Sequence, residues 1–158
     1  MIKAILACDE NWGIGKAGTL PWPHNSADLK WFRQMTTGHT VVMGRKTWDS
    51  LPVKPLPNRK NIVVSSNSID NADITVGMGQ LTQITLPMLT PMCEIWIIGG
   101  ATLLSGCMDM IDEFWLNHVP GNFECDVFLP RDLIMAQFVQ ADVEQYNTDL
   151  NITRWIRK

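Results

Sequence analysis

Residues 93–110 read CEIWIIGGATLLSGCMDM. Ile95, Trp96, Ile97 and Ile98 follow one another without polar alternation, then two glycines intervene, and Ala101 opens a stretch with helical spacing. A short unbroken apolar run bounded by glycine is a strand buried on both faces. A strand that turns directly into a helix is one half of a parallel crossover unit. HTVVMGRKTWDSL (39–51) has the same order: a β-branched run, a glycine, then a short helix that stops before Pro52. Two such units in one chain point to an α/β fold with a mostly parallel sheet.

The other segments fit between them. IKAILAC (2–8) is a short apolar strand, and 9–25 is a long loop rich in Gly, Pro and Asn. A helix spans 26–37, with Asn25 or Ser26 as N-cap and Gly38 as its stop. Residues 52–58 carry three prolines and form no regular element. Strands follow at 60–66 and 73–76, and a weak helical pattern at 77–92 is broken by Pro87. EFWLNHV (113–119) is a strand. QFVQADVEQ (137–145) and NITRWIRK (151–158) alternate as two antiparallel strands joined by YNTDL. Residues 120–136 receive no assignment. With no repeat and no linker, 1–158 reads as one domain.

Composition narrows the function classes. A net charge of −3 with no long basic run gives nucleic acid or an anionic membrane no electrostatic footprint. No apolar run approaches the ~20 residues needed to cross a bilayer, and the N-terminus lacks a signal-peptide pattern. Cys8, Cys93, Cys107 and Cys125 are far apart and not at zinc spacing from His24, His39 or His118. The expectation is a cytoplasmic protein with free thiols and no metal. Most of the seven tryptophans are expected in the core.

Three strand ends carry more than turn chemistry: Gly44-Arg45-Lys46-Thr47, Ser65-Ser66, and Gly99-Gly100-Ala101-Thr102. Ligands of open α/β sheets sit beyond the carboxyl ends of the strands. Helix N-termini attract phosphate, and glycine lets the backbone approach closely. Together the three ends form a bed for a polyphosphate ligand such as a dinucleotide, although none matches G-x-G-x-x-G or the P-loop.

Asp28 is the remaining anomaly. In helical steps it aligns with Phe32 and Met35, while Lys30, Arg33 and Gln34 fall elsewhere. If Asn25 is the cap, Asp28 occupies the third helical position, where an acid complements the helix dipole. Its neighbours Trp22, Trp31 and Phe32 favour a second reading, a desolvated carboxylate with a raised pKa.

At this point the chain resembles the dihydrofolate reductase family over essentially its whole length. The matching stretches are IGKAGTLPW (14–22), ADLKWFR (27–33), VVMGRKTWDSL (41–51), LPNRKNIVVSS (56–66) and IIGGATLL (97–104). The resemblance implies a monomeric cytoplasmic enzyme that reduces 7,8-dihydrofolate with NADPH, on a central sheet of about eight strands. It implies Asp28 as the pterin carboxylate, with Trp22 and Leu20 on a loop that closes over the nicotinamide. Ile5, Ala7, Leu29, Phe32, Leu51, Leu56, Ile98 and Asn117 would form the substrate site, and Arg59 would clamp the α-carboxylate of the glutamate tail. Ala7, Ile14, Gly15 and Leu20 would lie at the nicotinamide. Gly44, Arg45, Lys46, Thr47, Ser65, Ser66, Ile98, Gly99, Gly100, Ala101, Thr102, Leu103 and Leu104 would complete the cofactor site. A cis Gly99–Gly100 peptide is also implied.

Departures from the family pattern are Asn117 where a threonine is common, Ala101 for a third glycine, Thr102 for an arginine and Leu104 for a tyrosine. Two alternatives remain at this stage: a related pterin or pyrimidine reductase, and a non-catalytic nucleotide-binding module.

Overall fold

A computed structural model describes residues 1–23, 25–143 and 149–158. Its main sheet has eight strands: β1 (Ile2–Cys8), β3 (Thr40–Gly44), β4 (Lys60–Val64), β5 (Ile74–Val76), β6 (Ile95–Ile97), β7 (Glu113–His118), β9 (Phe138–Ala141) and β10 (Ile152–Arg157). Their order is β5-β4-β3-β6-β1-β7-β10-β9. Every pair from β5 to β7 is parallel, and β10 pairs antiparallel with both β7 and β9. The α/β class, the mostly parallel sheet and the antiparallel C-terminal pair all agree with the sequence reading. The connecting turn assigned to 146–150 lies largely outside the described residues, as does the end of the 137–145 strand.

The unbroken apolar runs occupy the middle of the sheet. In β3 and β6 nearly every residue is buried, because helices cover both faces. One face packs against α1 (Ser26–Thr36) and α2 (Arg45–Ser50): Ile5, Val41, Met43, Trp48, Val63 and Trp96 are buried there, with Trp31, Phe32 and Met35 against them. The other face packs against α3 (Leu81–Thr85), α4 (Ala101–Gly106) and α5 (Arg131–Gln137) through Leu81, Leu103, Leu104 and Ile134. Alternate residues of β1 divide between the faces, as the two-residue period of a strand requires.

Some boundaries differ from the sequence reading. The stretch 9–25 contains β2 (Gly13–Gly15), which pairs with β8 (Val127–Phe128) in a second, two-stranded sheet. Strand 60–66 ends at Val64, and the 77–92 region resolves into α3 flanked by 3₁₀ turns. Helix α5 was unassigned: seven residues starting after Pro130 give too few turns for a periodic signal. Five tryptophans, at 12, 22, 48, 96 and 155, are buried. All four cysteines are free.

Candidate active site

The six parallel strands end on one edge of the sheet, and α1 leans over that edge from the α1–α2 face. Helix α1 begins where Asn25 caps it: the Asp28 N–H donates to Asn25 Oδ1 at 3.0 Å. Asp28 is thus the third helical residue, and its acid complements the dipole. Its carboxylate nevertheless turns towards β7, where Asn117 Nδ2 donates to Oδ1 at 2.9 Å. Among the described residues no basic side chain forms an ion pair with it. Burial raises its pKa above the usual carboxylate range, and the Asn117 bond offsets part of the rise. The capping position and the desolvated carboxylate belong to the same residue.

Asn117 is buried, and its Oδ1 accepts the Asn151 N–H at 3.3 Å. That bond directs the amide donor at Asp28. Ala7 lies opposite Asn117 in the β1–β7 register. Ile5, Phe32, Leu51, Leu56 and Ile98 belong to the apolar cluster on the α1–α2 face. Leu29 is 49% exposed at the start of α1.

Arg59 stands at the far end of this apolar strip. Its guanidinium carbon lies 5.8 Å from the centre of the Phe32 ring. Nε donates to Pro57 O at 2.9 Å and Nη1 to Thr36 Oγ1 at 3.0 Å. No carboxylate forms an ion pair with it among the described residues. Partial burial, and then the nearby Arg33 charge, lower its pKa. Two crowded cations with no acid between them attract an anion.

The third part is a backbone cradle where β3 and β6 end. Gly44 N–H donates to Gly99 O at 2.9 Å, and the Gly99–Gly100 peptide is cis as expected. Gly99 has φ +124°, and a Cβ there would lie 3.5 Å from Thr47 Oγ1 and 3.6 Å from Leu6 Cδ2. Gly44 and Gly100 begin α2 and α4 without any side-chain cap. The first-turn N–H groups of both helices are thus not spent on a capping side chain, as a phosphate-bearing group requires. Arg45, Lys46, Ser66 and Thr102 are exposed around this cradle, and Arg45 Nε holds Asp49 at 3.1 Å. Ser65 Oγ accepts the Asn67 N–H at 3.2 Å. Ala101 is half-buried in the first turn of α4, whereas Leu103 and Leu104 point into the core of the opposite face. Leu103 and Leu104 are therefore set apart from the cradle, while the free N–H groups, hydroxyls and cations around it have the chemistry a dinucleotide requires.

Leu20 and Trp22 follow a small hairpin at Lys16–Thr19. Trp22 is buried edge-on against Phe123, with ring centres 5.7 Å apart, while Leu20 is 58% exposed. Ile14 packs on the opposite core, and Gly15 pairs with Val127. The sequence reading missed what holds this loop. Asp9 is fully buried and accepts N–H groups from Asn11 (2.9 Å), Gly13 (2.8 Å) and Phe123 (3.1 Å). It ties the loop after β1 to the loop that carries Phe123. Burial acts to raise its pKa, but these bonds bring it below the usual range. The signal was Asp9-Glu10-Asn11-Trp12-Gly13 at a strand end, a pattern common to ordinary Asx turns. Burial pushes the Cys8 and Cys107 thiols up to about 12, which removes both as nucleophiles.

Known proteins are similar to this chain over most of its length. The family model described as "Dihydrofolate reductase" matches residues 1–154. A dihydrofolate reductase of Staphylococcus aureus (strain Mu50 / ATCC 700699) is 32% identical over 154 residues, covering 93% of this chain and 91% of that protein. That of Neisseria gonorrhoeae is 39% identical over 134 residues, covering 82% and 79%. The solved dihydrofolate reductase from Enterococcus faecalis, complexed with NADP(H) and RAB-propyl, superposes with a TM-score of 0.80 at 28% identity. It covers 99% of this chain and 96% of its own. With a family match over nearly its full length, laid on a sheet whose carboxyl edge holds Asp28 and a glycine cradle while Arg59 stands before the first residue of β4, the chain belongs to the dihydrofolate reductase family.

Proposed function

We propose that the Asp28 pocket binds the pterin ring of dihydrofolate, and that the Gly44–Gly99–Gly100 cradle binds NADPH beside it. The chain is an NADPH-dependent enzyme that reduces 7,8-dihydrofolate to tetrahydrofolate. When bound, NADPH supplies the hydride, here to C6 of the pterin. The single observation that carries the site assignment is Asp28, a half-buried carboxylate with an amide donor and, among the described residues, no ion-paired cation.

An ionised carboxylate in that setting has unused acceptor capacity. It binds the 2-amino and N3 donors of a pterin and favours a proton at N5, because the positive charge offsets its own desolvation. Asn117, held by the Asn151 N–H, can only donate to the carboxylate and so fixes its orientation. Phe32 and Leu56 offer an apolar wall to the ring system, and Arg59 meets the glutamate α-carboxylate as a charge-assisted partner. Arg45, Lys46 and Ser66 are the candidates for the ribose phosphate that separates NADPH from NADH. Leu20 and Trp22 sit on the segment that would shield the reacting atoms from water.

Residues 1–158 act as one catalytic unit, a monomer in the cytoplasm with no nucleic-acid partner. Side chains from α1, β7 and the 56–59 turn of a single chain assemble the whole pocket, which supports the monomer. A spectrophotometric assay of NADPH loss with dihydrofolate tests the reading. Consumption that depends on dihydrofolate is expected. Consumption only with a pyrimidine lacking the benzoylglutamate tail would assign the chain to a related reductase, and no consumption would leave a nucleotide-binding module.

A further inference from the structure

Asn61 is the second residue of β4, and its side chain is fully buried. The β3–β4 register places it beside Val41, on the same face as Val63. An amide in such a place is costly unless its polar groups are bonded. Oδ1 accepts the Leu56 N–H at 2.9 Å, and Nδ2 donates to Leu56 O and Arg59 O, both at 3.0 Å. One side chain therefore ties both ends of the 56–59 turn. Within that turn Asn58 has φ +60°, a left-handed conformation that needs outside support. The strand beneath is pinned too: Asp73 Oδ2 accepts the Asn61 N–H at 2.6 Å, and the Asp73 N–H donates to Asn61 O at 3.0 Å.

The turn also sets the guanidinium. Arg59 Nε bonds Pro57 O, inside the same turn, and Nη1 bonds Thr36 Oγ1, whose own proton goes to Phe32 O at 2.8 Å. Two of the five guanidinium donors thereby fix its plane against Phe32. Both the Arg59 backbone and the Pro57 acceptor depend on the turn that Asn61 holds.

We propose that Asn61 is a positioning residue that holds the Arg59 guanidinium in place and so sets how strongly the pocket prefers substrates bearing a carboxylate tail. The inference rests on the reading of Arg59 as the tail's partner. A long, rotatable side chain binds a carboxylate bidentately only if its fork is already oriented. None of the Asn61 bonds reaches Asp28 or the glycine cradle, and of the pocket residues besides Arg59 it holds only the Leu56 backbone, at the start of the turn that carries Arg59, so its effect falls mainly on tail recognition rather than on the chemical step.

The test compares dihydrofolate with a dihydropterin that lacks the benzoylglutamate, using Asn61→Ala, Asn61→Asp, Arg59→Leu and the Asn61→Ala/Arg59→Leu pair. Asn61→Asp keeps size and the acceptor for Leu56 N–H but sets negative charge against two carbonyls. For Asn61→Ala the KM for dihydrofolate is expected to rise roughly 5- to 20-fold, as for the loosening of one charge-assisted contact. Its kcat should stay within about twofold, and KM for the truncated pterin should hardly move. In the pair, adding Asn61→Ala to Arg59→Leu should bring little further loss of tail preference. Equal losses for both substrates, an unchanged KM for dihydrofolate, or failure of both Asn61 variants to fold would overturn the inference and make Asn61 a core residue only. If Arg59→Leu itself leaves tail preference intact, the reading of Arg59 fails first. If Arg59→Leu abolishes it and Asn61→Ala does not, only the role of Asn61 fails.

Discussion

Asp28 combines two jobs that single-residue reasoning tends to separate. Its N–H belongs to the α1 cap, and its carboxylate belongs to the pocket. Asp28→Asn tests the division. The replacement keeps the helix N-terminus intact and can still accept from Asn117, but it carries no charge to favour a protonated N5. Turnover of dihydrofolate at neutral pH should fall by roughly 10²-fold or more, and recover partly in mild acid, where solvent supplies the proton. The stability sign is opposite. A carboxyl with a raised folded pKa stabilises the fold only while protonated, and that contribution is lost as pH rises through the folded value. Asp28→Asn should therefore melt at or above the parent temperature at pH 7. Near-parent turnover at pH 7 would leave Asp28 as a cap alone. Arg45 is the second case. Its exposed pair with Asp49 is worth at most about 0.5 kcal/mol, so it is free to turn to a phosphate. Arg45→Ala should weaken NADPH binding roughly 10- to 100-fold and NADH far less, measured by fluorescence titration of both. Parallel losses would move the phosphate contact elsewhere.

At the scale of elements, the pocket depends on how α1 starts and on how two loops are tied. Asn25 supplies the side-chain cap at the start of α1, and the helix turns off at Thr37, whose hydroxyl donates to Arg33 O, before Gly38 at φ +83°. Removing the cap by Asn25→Ala should cost about 1 kcal/mol, or roughly 2–4 °C in melting temperature for a chain of this size. Because the same bond holds the Asp28 backbone, kcat should drop with it, though far less than in Asp28→Asn. A calorimetric melt together with steady-state kinetics checks both. A lower melting temperature with unchanged kcat would show that the first turn of α1 does not set the carboxylate. Gly13 shows the same dependence in the opposite loop: a Cβ there would sit 2.4 Å from Cys125 Cβ, so the β2 segment packs against 121–125 only as glycine.

At the scale of the whole molecule, a buried ion-pair cluster lies away from the pocket. Glu113, at the opposite end of β7 from Asn117, is buried and accepts from Arg154 at 2.6 Å and from Trp115 Nε1 at 2.9 Å, with Lys3 3.9 Å away. Burial acts to raise its pKa, but the Arg154 and Trp115 bonds and the nearby positive charges bring it below the usual range. Such a group contributes stability above its unfolded pKa and loses it as pH falls through the folded one. Glu113→Gln should cost about 2 kcal/mol at pH 7, and the gap from the parent should close in acid below roughly pH 4. Urea unfolding across pH reads this directly. A gap that persists unchanged into acid would mean the loss is packing rather than charge. Although Glu113 lies on the strand that carries Asn117, the two stand at opposite ends of it, so kcat measured well below the melting point should change little.

The order of strands and helices was legible because it rests on local chemistry. Unbroken β-branched runs, glycines at their ends, Asn25 before α1 and prolines across 52–58 each act within a few residues, and the structure keeps them. The family resemblance, carried by short ordered motifs, extended that reading to the residues of the pocket. Short elements were not legible: β2, β8 and α5 hold too few residues to show a period and exist through contacts with distant segments. The same holds for Asp9, Thr36 and Asn61. Each is polar and buried; Asp9 and Thr36 are satisfied in part by distant N–H or guanidinium groups, and Asn61, whose side-chain partners are local, is buried only because β4 joins the sheet. Sequence alone determined which residues could become Asp28's helix, Arg59's turn and the glycine cradle. Only the tertiary structure decided that they border one face of the sheet, with Asp28 and the cradle towards the carboxyl ends of the strands and Arg59 at the amino end of β4. That depends on the parallel pairing of β3, β6, β1 and β7, whose registers are set by packing between residues far apart in the chain.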